Sequence, residues 1–343
     1  MHNISQIIER NLHRHSSTGN GFWINPEKDP AWRDAAHSCG SLKLLCQDFG
    51  AYLFHQQAGA DVQFAAFPVE GNTTYSWIIL NLPRQKALLR MLLDYAASLL
   101  ADGGVLWLAG ENRAGIKSAE KVLKTCFAGV KKLDNARHCT LYEATRPLNQ
   151  HIFEPALYRE KWMLGCAGKD LRVASYPGVF AHGRLDGGTA LLLEQMKALD
   201  FVGDILDFGC GAGVIGACIA SQNEAVDLTF LDTSALAIKS CEETLAANQL
   251  SGCLLASDGL SQVTRSYDMI ISNPPIHAGV KTDNLMSVRL LESVRKHLKP
   301  GGILVLVANR HLPYENWLSQ GFHQVKELAK NKHFKVIVAE NRL

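Results

Sequence analysis

No two cysteines of this chain stand in a CxxC spacing, and their number, nine, is odd. That argues against a disulfide framework and a zinc site, and for a reducing compartment. Apolar runs of membrane-spanning length are missing. So is the basic-then-apolar order of a secretory leader in Met1-His2-Asn3-Ile4-Ser5. The formal charge balance is only +2 over 343 residues, so a polyanionic partner must be met by local clusters rather than by the field of the whole chain. With 47% hydrophobic and 20% charged residues, the composition is that of a soluble globular protein long enough for two domains. A cytoplasmic, metal-free, membrane-free monomer is the expectation.

What the chain does have is Asp207-Phe208-Gly209-Cys210-Gly211-Ala212-Gly213, an acid and alternate glycines between the apolar Ile205-Leu206 and the helix-compatible Val214-Ile215-Gly216. Glycine tolerates positive φ, and without a Cβ it lets a ligand come close to the backbone. A strand, such a loop and a helix form the place where open α/β sheets bind nucleotide-like ligands. From Gly211 the residues also spell GxGxxG, so the loop alone leaves dinucleotides open. A second stretch narrows the choice. Tyr267-Asp268-Met269-Ile270-Ile271-Ser272 reads as a buried strand and ends in Asn273-Pro274-Pro275-Ile276. Asn-Pro-Pro by itself is a turn. Downstream of a glycine loop it has no role in hydride transfer, and it resembles the catalytic loop of S-adenosylmethionine-dependent methyltransferases that modify exocyclic or amide nitrogens.

The candidate cofactor residues follow the strand ends. Gly209, Cys210, Gly211 and Gly213 form the loop, and the helix behind it aims its first N–H groups at an anionic end of the ligand. Asp232, after a strand over 226–231, is placed to accept ribose hydroxyls, or else to cap the helix that starts near Ser234. Asp258, in Ser257-Asp258-Gly259 after the strand Cys253 to Ala256, is placed to accept from an adenine amine, or else belongs to a plain turn. Asp207 orients the loop through backbone N–H groups or contacts the cofactor's ammonium; Asn273 touches both cofactor and acceptor. An amine conjugated to an aromatic ring is a poor nucleophile. The Asn273 side-chain oxygen and the Pro274 carbonyl can each accept one of its N–H groups and aim its lone pair at a sulfonium methyl. Pro274 and Pro275 have fixed φ and stiffen that geometry. Positioning and electrostatics then supply the rate without a general base. His182 and His277 lie nearby and are given no catalytic role; residues 280–284 read as a lid.

The first half repeats the second. Tyr75-Ser76-Trp77-Ile78-Ile79-Leu80-Asn81-Leu82-Pro83 mirrors Tyr267 to Pro275. Each copy is followed by an amphipathic helix (Lys86 to Leu100, Leu285 to Leu298) that is expected to stop at a glycine pair, Gly103-Gly104 or Gly301-Gly302. An apolar strand and an Asn-Arg pair come next: Asn112-Arg113 and Asn309-Arg310. The first half lacks the glycines. After Gly21-Phe22-Trp23-Ile24-Asn25 stands Pro26-Glu27-Lys28-Asp29-Pro30, and Leu82 replaces the first proline of the second loop. The fold class is therefore α/β: two tandem Rossmann-like class I methyltransferase domains from a duplication, the N-terminal one degenerate and without a cofactor site. The expected division is 1–155, for substrate recognition and support, and 156–343, catalytic. Lys117, Lys121 and Lys124 recur at helical spacing within a basic run over 113–137, a stripe suited to phosphates, although a solvated helix face explains such a run as well. A glycine-rich stretch, Pro177 to Thr189, precedes a helix expected from about Ala190 to Leu199, and the chain closes in a hairpin, Phe322 to Leu328 and His333 to Glu340.

With these residues in place the whole chain resembles the bacterial ribosomal RNA small subunit methyltransferase C family. The resemblance rests on Gly110-Glu111-Asn112-Arg113-Ala114-Gly115-Ile116-Lys117-Ser118-Ala119-Glu120, on Pro177-Gly178-Val179-Phe180, and on the two loops of the second half. It implies a seven-stranded sheet with the last strand antiparallel, S-adenosylmethionine as methyl donor, and the N2 amine of a guanine in 16S rRNA of the 30S subunit as acceptor, with that base drawn out of its stack. The family commonly has an aromatic residue after Asn-Pro-Pro where this chain has Ile276, so stacking falls to Phe180 or His277 or is replaced by apolar contact. A guanine-N2 enzyme of 23S rRNA, a glutamine-amide or DNA adenine methyltransferase, and a nonenzymatic RNA-binding assembly factor remain alternatives.

Overall fold

The computed structural model describes residues 1–15, 19–67, 73–148, 152–274 and 291–342. They form two compact units, Met1–Tyr158 and Arg159–Leu343. Among the described residues no helix is long and apolar enough to cross a membrane.

The first unit is a seven-stranded sheet of β1 (Asn20–Ile24), β2 (Ser41–Cys46), β3 (Val62–Phe64), β4 (Tyr75–Asn81), β5 (Leu100–Glu111), β6 (Phe127–Ala136) and β7 (Cys139–Pro147). Its order is β3-β2-β1-β4-β5-β7-β6, and β7 runs antiparallel to both neighbours. The central strands are apolar without interruption because both faces are covered. Alternate residues point to opposite sides: Phe22, Ile78 and Leu106 join one buried cluster, Trp23, Trp77 and Trp107 the other. The first cluster takes in residues of α4 (Lys86–Leu99) and α5 (Ile116–Cys126), the second those of α1 (Asn3–Asn11) and α2 (Trp32–His37). The helix α3 (Phe49–Gln57) follows β2.

The second unit opens with a hairpin, β8 (Glu160–Cys166) and β9 (Lys169–Ser175). A sheet of the same plan follows, with β10 (Asp204–Phe208), β11 (Asp227–Asp232), β12 (Cys253–Ala256), β13 (Tyr267–Ser272), β14 (Leu298–Asn309), β15 (Gln324–Lys330) and β16 (Phe334–Glu340) in the order β12-β11-β10-β13-β14-β16-β15. β16 is the antiparallel strand. Its helices are α6 (Gly187–Glu194), α7 (Val214–Gln222), α8 (Ala235–Ala247), α9 (described over 291–296) and α10 (Tyr314–Leu318).

Three expectations change. The glycine pairs do not stop the preceding helices. α4 ends at Leu99, and β5 runs from Leu100 straight through Gly103-Gly104; β14 likewise passes through Gly301-Gly302. Gly103 and Gly301 have φ of 73° and 72° and coincide with matched register shifts, at Tyr75/Trp77 and Tyr267/Met269, so each pair is a bulge inside a strand. The helix expected from Ala190 begins instead at Gly187, because the Asp186 carboxylate accepts from the N–H groups of Gly188 and Thr189 at 2.8 and 3.0 Å. The basic run over 113–137 is not all helix: it continues from α5 into β6, half of a hairpin the sequence pattern did not reveal. The lid at 280–284 and the start of the helix expected from Leu285 lie outside the described residues.

Candidate active site

The glycine loop leaves β10 with Gly209, Gly211 and Gly213 at φ of 73°, 54° and 76°, the region side chains avoid. A Cβ on Gly213 would lie 2.6 Å from Cys241 Sγ of α8, so that glycine is demanded by packing as well as by φ. Gly209 faces open space and Gly211 meets nothing closer than Val179 at 3.9 Å. That space is a cavity of about 310 Å³, the low end of small-ligand pockets, which begin at about 300 Å³. Gly209, Cys210 and Gly211 form one wall, Asp232, Thr233 and Ser257 another, and Gly178 to Ala181 a third; Asn273 closes the end.

Two carboxylates hold the loop. Asp232 Oδ2 accepts from Gly211 N–H at 2.9 Å, and its Oδ1 from Ser234 N–H at 2.9 Å. The helix cap falls to Ser234, whose hydroxyl accepts from Ala237 N–H, and Asp232 stays half-buried on the cavity wall. Asp207 lies beneath the loop rather than on the wall. It is fully buried, its Oδ2 accepts from Gly216 N–H at 2.9 Å, and its Oδ1 has no partner. Burial pushes its carboxyl up to about 7, against the Gly216 hydrogen bond and with help from the Asp232 charge.

Asn273 is the decisive side chain. Its amide nitrogen donates to Asp186 Oδ2 and to Thr189 Oγ1, both at 2.9 Å. A carboxylate only accepts, so the NH₂ end must face Asp186. The Asn273 oxygen is thereby turned away from these partners, and among the described residues it accepts no hydrogen bond.

The roof over the glycine loop is fastened to α8. Ser240 and Thr244 hydroxyls accept from Tyr176 and Ala174 N–H at 3.1 Å each, and Asn248 Oδ1 accepts from Arg172 N–H at 2.9 Å. Residues four apart share a helix face, so this one polar row satisfies the open edge of β9 and positions the segment that runs into Gly178 to Ala181.

Comparison with known proteins gives the family of the chain. Residues 170–338 match the family described as Methyltransferase small domain, and residues 5–161 its N-terminal counterpart, Methyltransferase small domain N-terminal. A Shewanella loihica protein named Ribosomal RNA small subunit methyltransferase C is 36% identical over 97% of this chain and 97% of its own. A Pseudomonas aeruginosa protein of the same name is 42% identical over 83% of this chain and 86% of its own. The chain belongs to the ribosomal RNA small subunit methyltransferase C family. A T. thermophilus 16S rRNA N2 G1207 methyltransferase, solved in complex with AdoMet and guanosine, has the same fold, with a TM-score of 0.82 at 22% identity over 98% of this chain and 92% of that one.

The structure gathers most of the sequence candidates of this family member, but not all of them. Gly209, Cys210, Gly211, Asp232 and Asn273 share the cavity, and Phe180, 57% exposed, lines its mouth. Asp258 is exposed, while Ser257 and Gly259 on either side of it line the wall. Pro274 directly follows Asn273; Pro275, Ile276 and His277 lie outside the described residues. His182 bonds to Ser175 through Nδ1 at 2.9 Å, and burial lowers its pKa. Lys117, Lys121 and Lys124 are exposed on α5, with Lys124 paired to Glu120 at 2.6 Å. Sequence reasoning missed Asp186 and Thr189, which act on Asn273 from more than eighty residues away, and Trp162, a wall residue whose buried indole N–H has no partner. The glycine-rich run before α6 was the one available signal for Asp186.

Proposed function

We propose that this chain transfers a methyl group from S-adenosylmethionine to the N2 amine of a guanine in 16S rRNA of the small ribosomal subunit, in the cytoplasm. The observation that carries the reading is the Asn273 oxygen, unpaired among the described residues and oriented by the hold of Asp186 and Thr189 on its amide nitrogen, at the end of a cavity walled by Gly209 and Gly211. The cavity fits the donor: a Cβ-free wall where a chain must lie against backbone, and the half-buried carboxylate of Asp232 where a ribose would present its hydroxyls. When bound, S-adenosylmethionine supplies a methyl group on a sulfonium.

The residues of the chain do the rest. The Asn273 oxygen and the Pro274 carbonyl each accept one N–H of the acceptor amine, which favours a pyramidal nitrogen with its lone pair directed into the cavity. Placement and matched electrostatics supply the rate, and the methylated amine, once cationic, releases its proton to water. Asp207, buried beneath the loop, is a positioning residue through Gly216, and Asp258 sits at the rim of the adenine end. A guanine reaches Asn273 only after leaving its stack. Phe180, exposed at the mouth, offers an aromatic face for the base, which the residue type at Ile276 does not. Lys117, Lys121 and Lys124 offer the first unit a phosphate contact.

Tritiated methyl transfer to 30S subunits, 50S subunits, naked rRNA and DNA, followed by nucleoside mass spectrometry, tests the proposal. N2-methylguanine in 16S rRNA is the expected product. Label confined to 23S rRNA selects the large-subunit alternative, and cofactor binding without transfer selects the assembly-factor alternative.

A further inference from the structure

The repeated Asn-Arg pair has no part in the chemistry above. Its second copy, Asn309-Arg310, stands at the end of β14, where Arg310 N–H donates to the His333 carbonyl at 2.8 Å and draws that end against the turn between β15 and β16. Asn309, Arg310, His311, Lys332, His333 and Phe334 line a groove there. Among the described residues no carboxylate lines it, and Arg310, His311, Lys332 and His333 are all exposed. Neighbouring lysines are already committed: Lys330 to Glu327 at 2.7 Å, and Lys335 to Glu315 at 2.7 Å. The Arg310 guanidinium makes a long contact of 3.4 Å with the Asn331 carbonyl, and among the described residues most of its fork of donors is unused.

The groove's place in the fold says which anion it meets. β14 lies parallel beside β13, with Ser272 opposite Leu306, so Arg310 emerges at the same end of the sheet as Asn273. Phe334, one wall of the groove, lies 3.2–3.3 Å from where Cβ atoms on Gly188 and Gly187 would stand. Those glycines open α6 directly after Asp186, the residue that holds the Asn273 amide. One phenyl ring therefore separates the groove from the helix end that positions the acceptor oxygen. Arginine and lysine contacts to phosphate fix register on a nucleic acid without reading sequence. We propose that this groove grips a phosphodiester of the substrate RNA next to the acceptor guanosine, holding the strand while the base is turned out. The inference rests on the RNA reading of the site and assigns a face to it.

The test uses the full chain and a short fluorescein-labelled, guanine-containing single-stranded RNA. The double variant Arg310→Glu/Lys332→Glu should weaken binding by at least roughly tenfold and lower the salt slope of log K by about 1.4, two contacts at about 0.7 each for a single strand. Cofactor affinity by calorimetry should stay unchanged, and in methyl transfer the loss should fall on KM for rRNA while kcat at saturation is kept. Lys326→Glu, an exposed charge on β15 outside the groove, is the control. An unchanged salt slope, or an equal loss from Arg310→Glu and Lys326→Glu, overturns the groove. Unchanged rRNA KM in the double variant, with methylation intact, overturns it while the methylation reading stands. Groove-dependent RNA binding by a protein that methylates no RNA does the reverse.

Discussion

The two seven-stranded units share strand order, and their registers give each central residue of one a counterpart in the other. β1 meets β4 with Gly21 opposite Trp77, and β10 meets β13 with Ile205 opposite Met269. Trp23 therefore corresponds to Asp207, and Asn81 to Asn273. In the first unit the Trp23 indole donates to the Asn81 oxygen at 2.9 Å, and the Asn81 amide reaches Glu27 at 3.4 Å. In the second, an acid sits under the loop, and the matching asparagine is held by its nitrogen, its oxygen unpaired among the described residues. Burial pushes the Glu27 carboxyl up, so the loop after β1 places a half-desolvated acid where the second unit opens a cavity. In the first unit the hydrogen-bonding atoms of the matching asparagine are satisfied internally, on a sheet of the same strand order.

The widest separation is expected between the two asparagines. Asn273→Ala should lower methyl transfer by about 10³-fold or more, with cofactor affinity by calorimetry nearly unchanged. Asn81→Ala should leave transfer per folded molecule intact and reduce unfolding free energy by about 1–3 kcal/mol, since the Trp23 N–H is then buried without a partner. Equal losses of turnover would break the comparison.

Next comes the pH dependence that Asp207 brings and Trp23 cannot. Its folded pKa, about 7, lies above the unfolded value. The stability it contributes is therefore full below about pH 4 and is lost as pH rises to about 7. In the cofactor-free protein, Asp207→Asn keeps an acceptor for Gly216 N–H. Its advantage over the native chain in urea unfolding should grow across that window to a few kcal/mol. A difference that stays flat with pH would mean that something offsets the buried charge.

Asp186→Asn sharpens the same contrast. Asparagine caps a helix as well as aspartate does, so thermal stability should hold. It no longer forces the Asn273 amide to one orientation, and kcat should fall about tenfold, worth about 1.4 kcal/mol, with cofactor KM unchanged. The smallest effect is expected of Trp23→Phe: about 1 kcal/mol of stability, read by denaturant unfolding, and no change in transfer.

Local signals in the chain were informative wherever chemistry and chain neighbourhood coincide. The glycines at 209, 211 and 213, the acid at 232 and the strand ending at Asn273 declare themselves, because strand, turn and helix demands fall on adjacent residues. The repeat was visible for the same reason: two strands, two glycine pairs and two Asn-Arg pairs recur in order. Helix stops misled at Gly103 and Gly301, since positive φ serves a strand bulge as readily as a helix end. The β6–β7 hairpin escaped because Lys131 and Lys132 lie exposed on its outer strand and read as a solvated run. Asp186 could not be assigned to Asn273 from the sequence, as their meeting depends on how α6 packs and not on spacing.

The row Ser240, Thr244 and Asn248 carries a consequence for how such a chain can vary over time. Each step along that row is one turn of α8, so a single inserted or deleted residue between 240 and 248 would rotate the later members by about 100° and unhook β9 from the helix. Loops elsewhere in the second unit can grow or shrink at little cost, whereas this span of helix should keep its length wherever the site works.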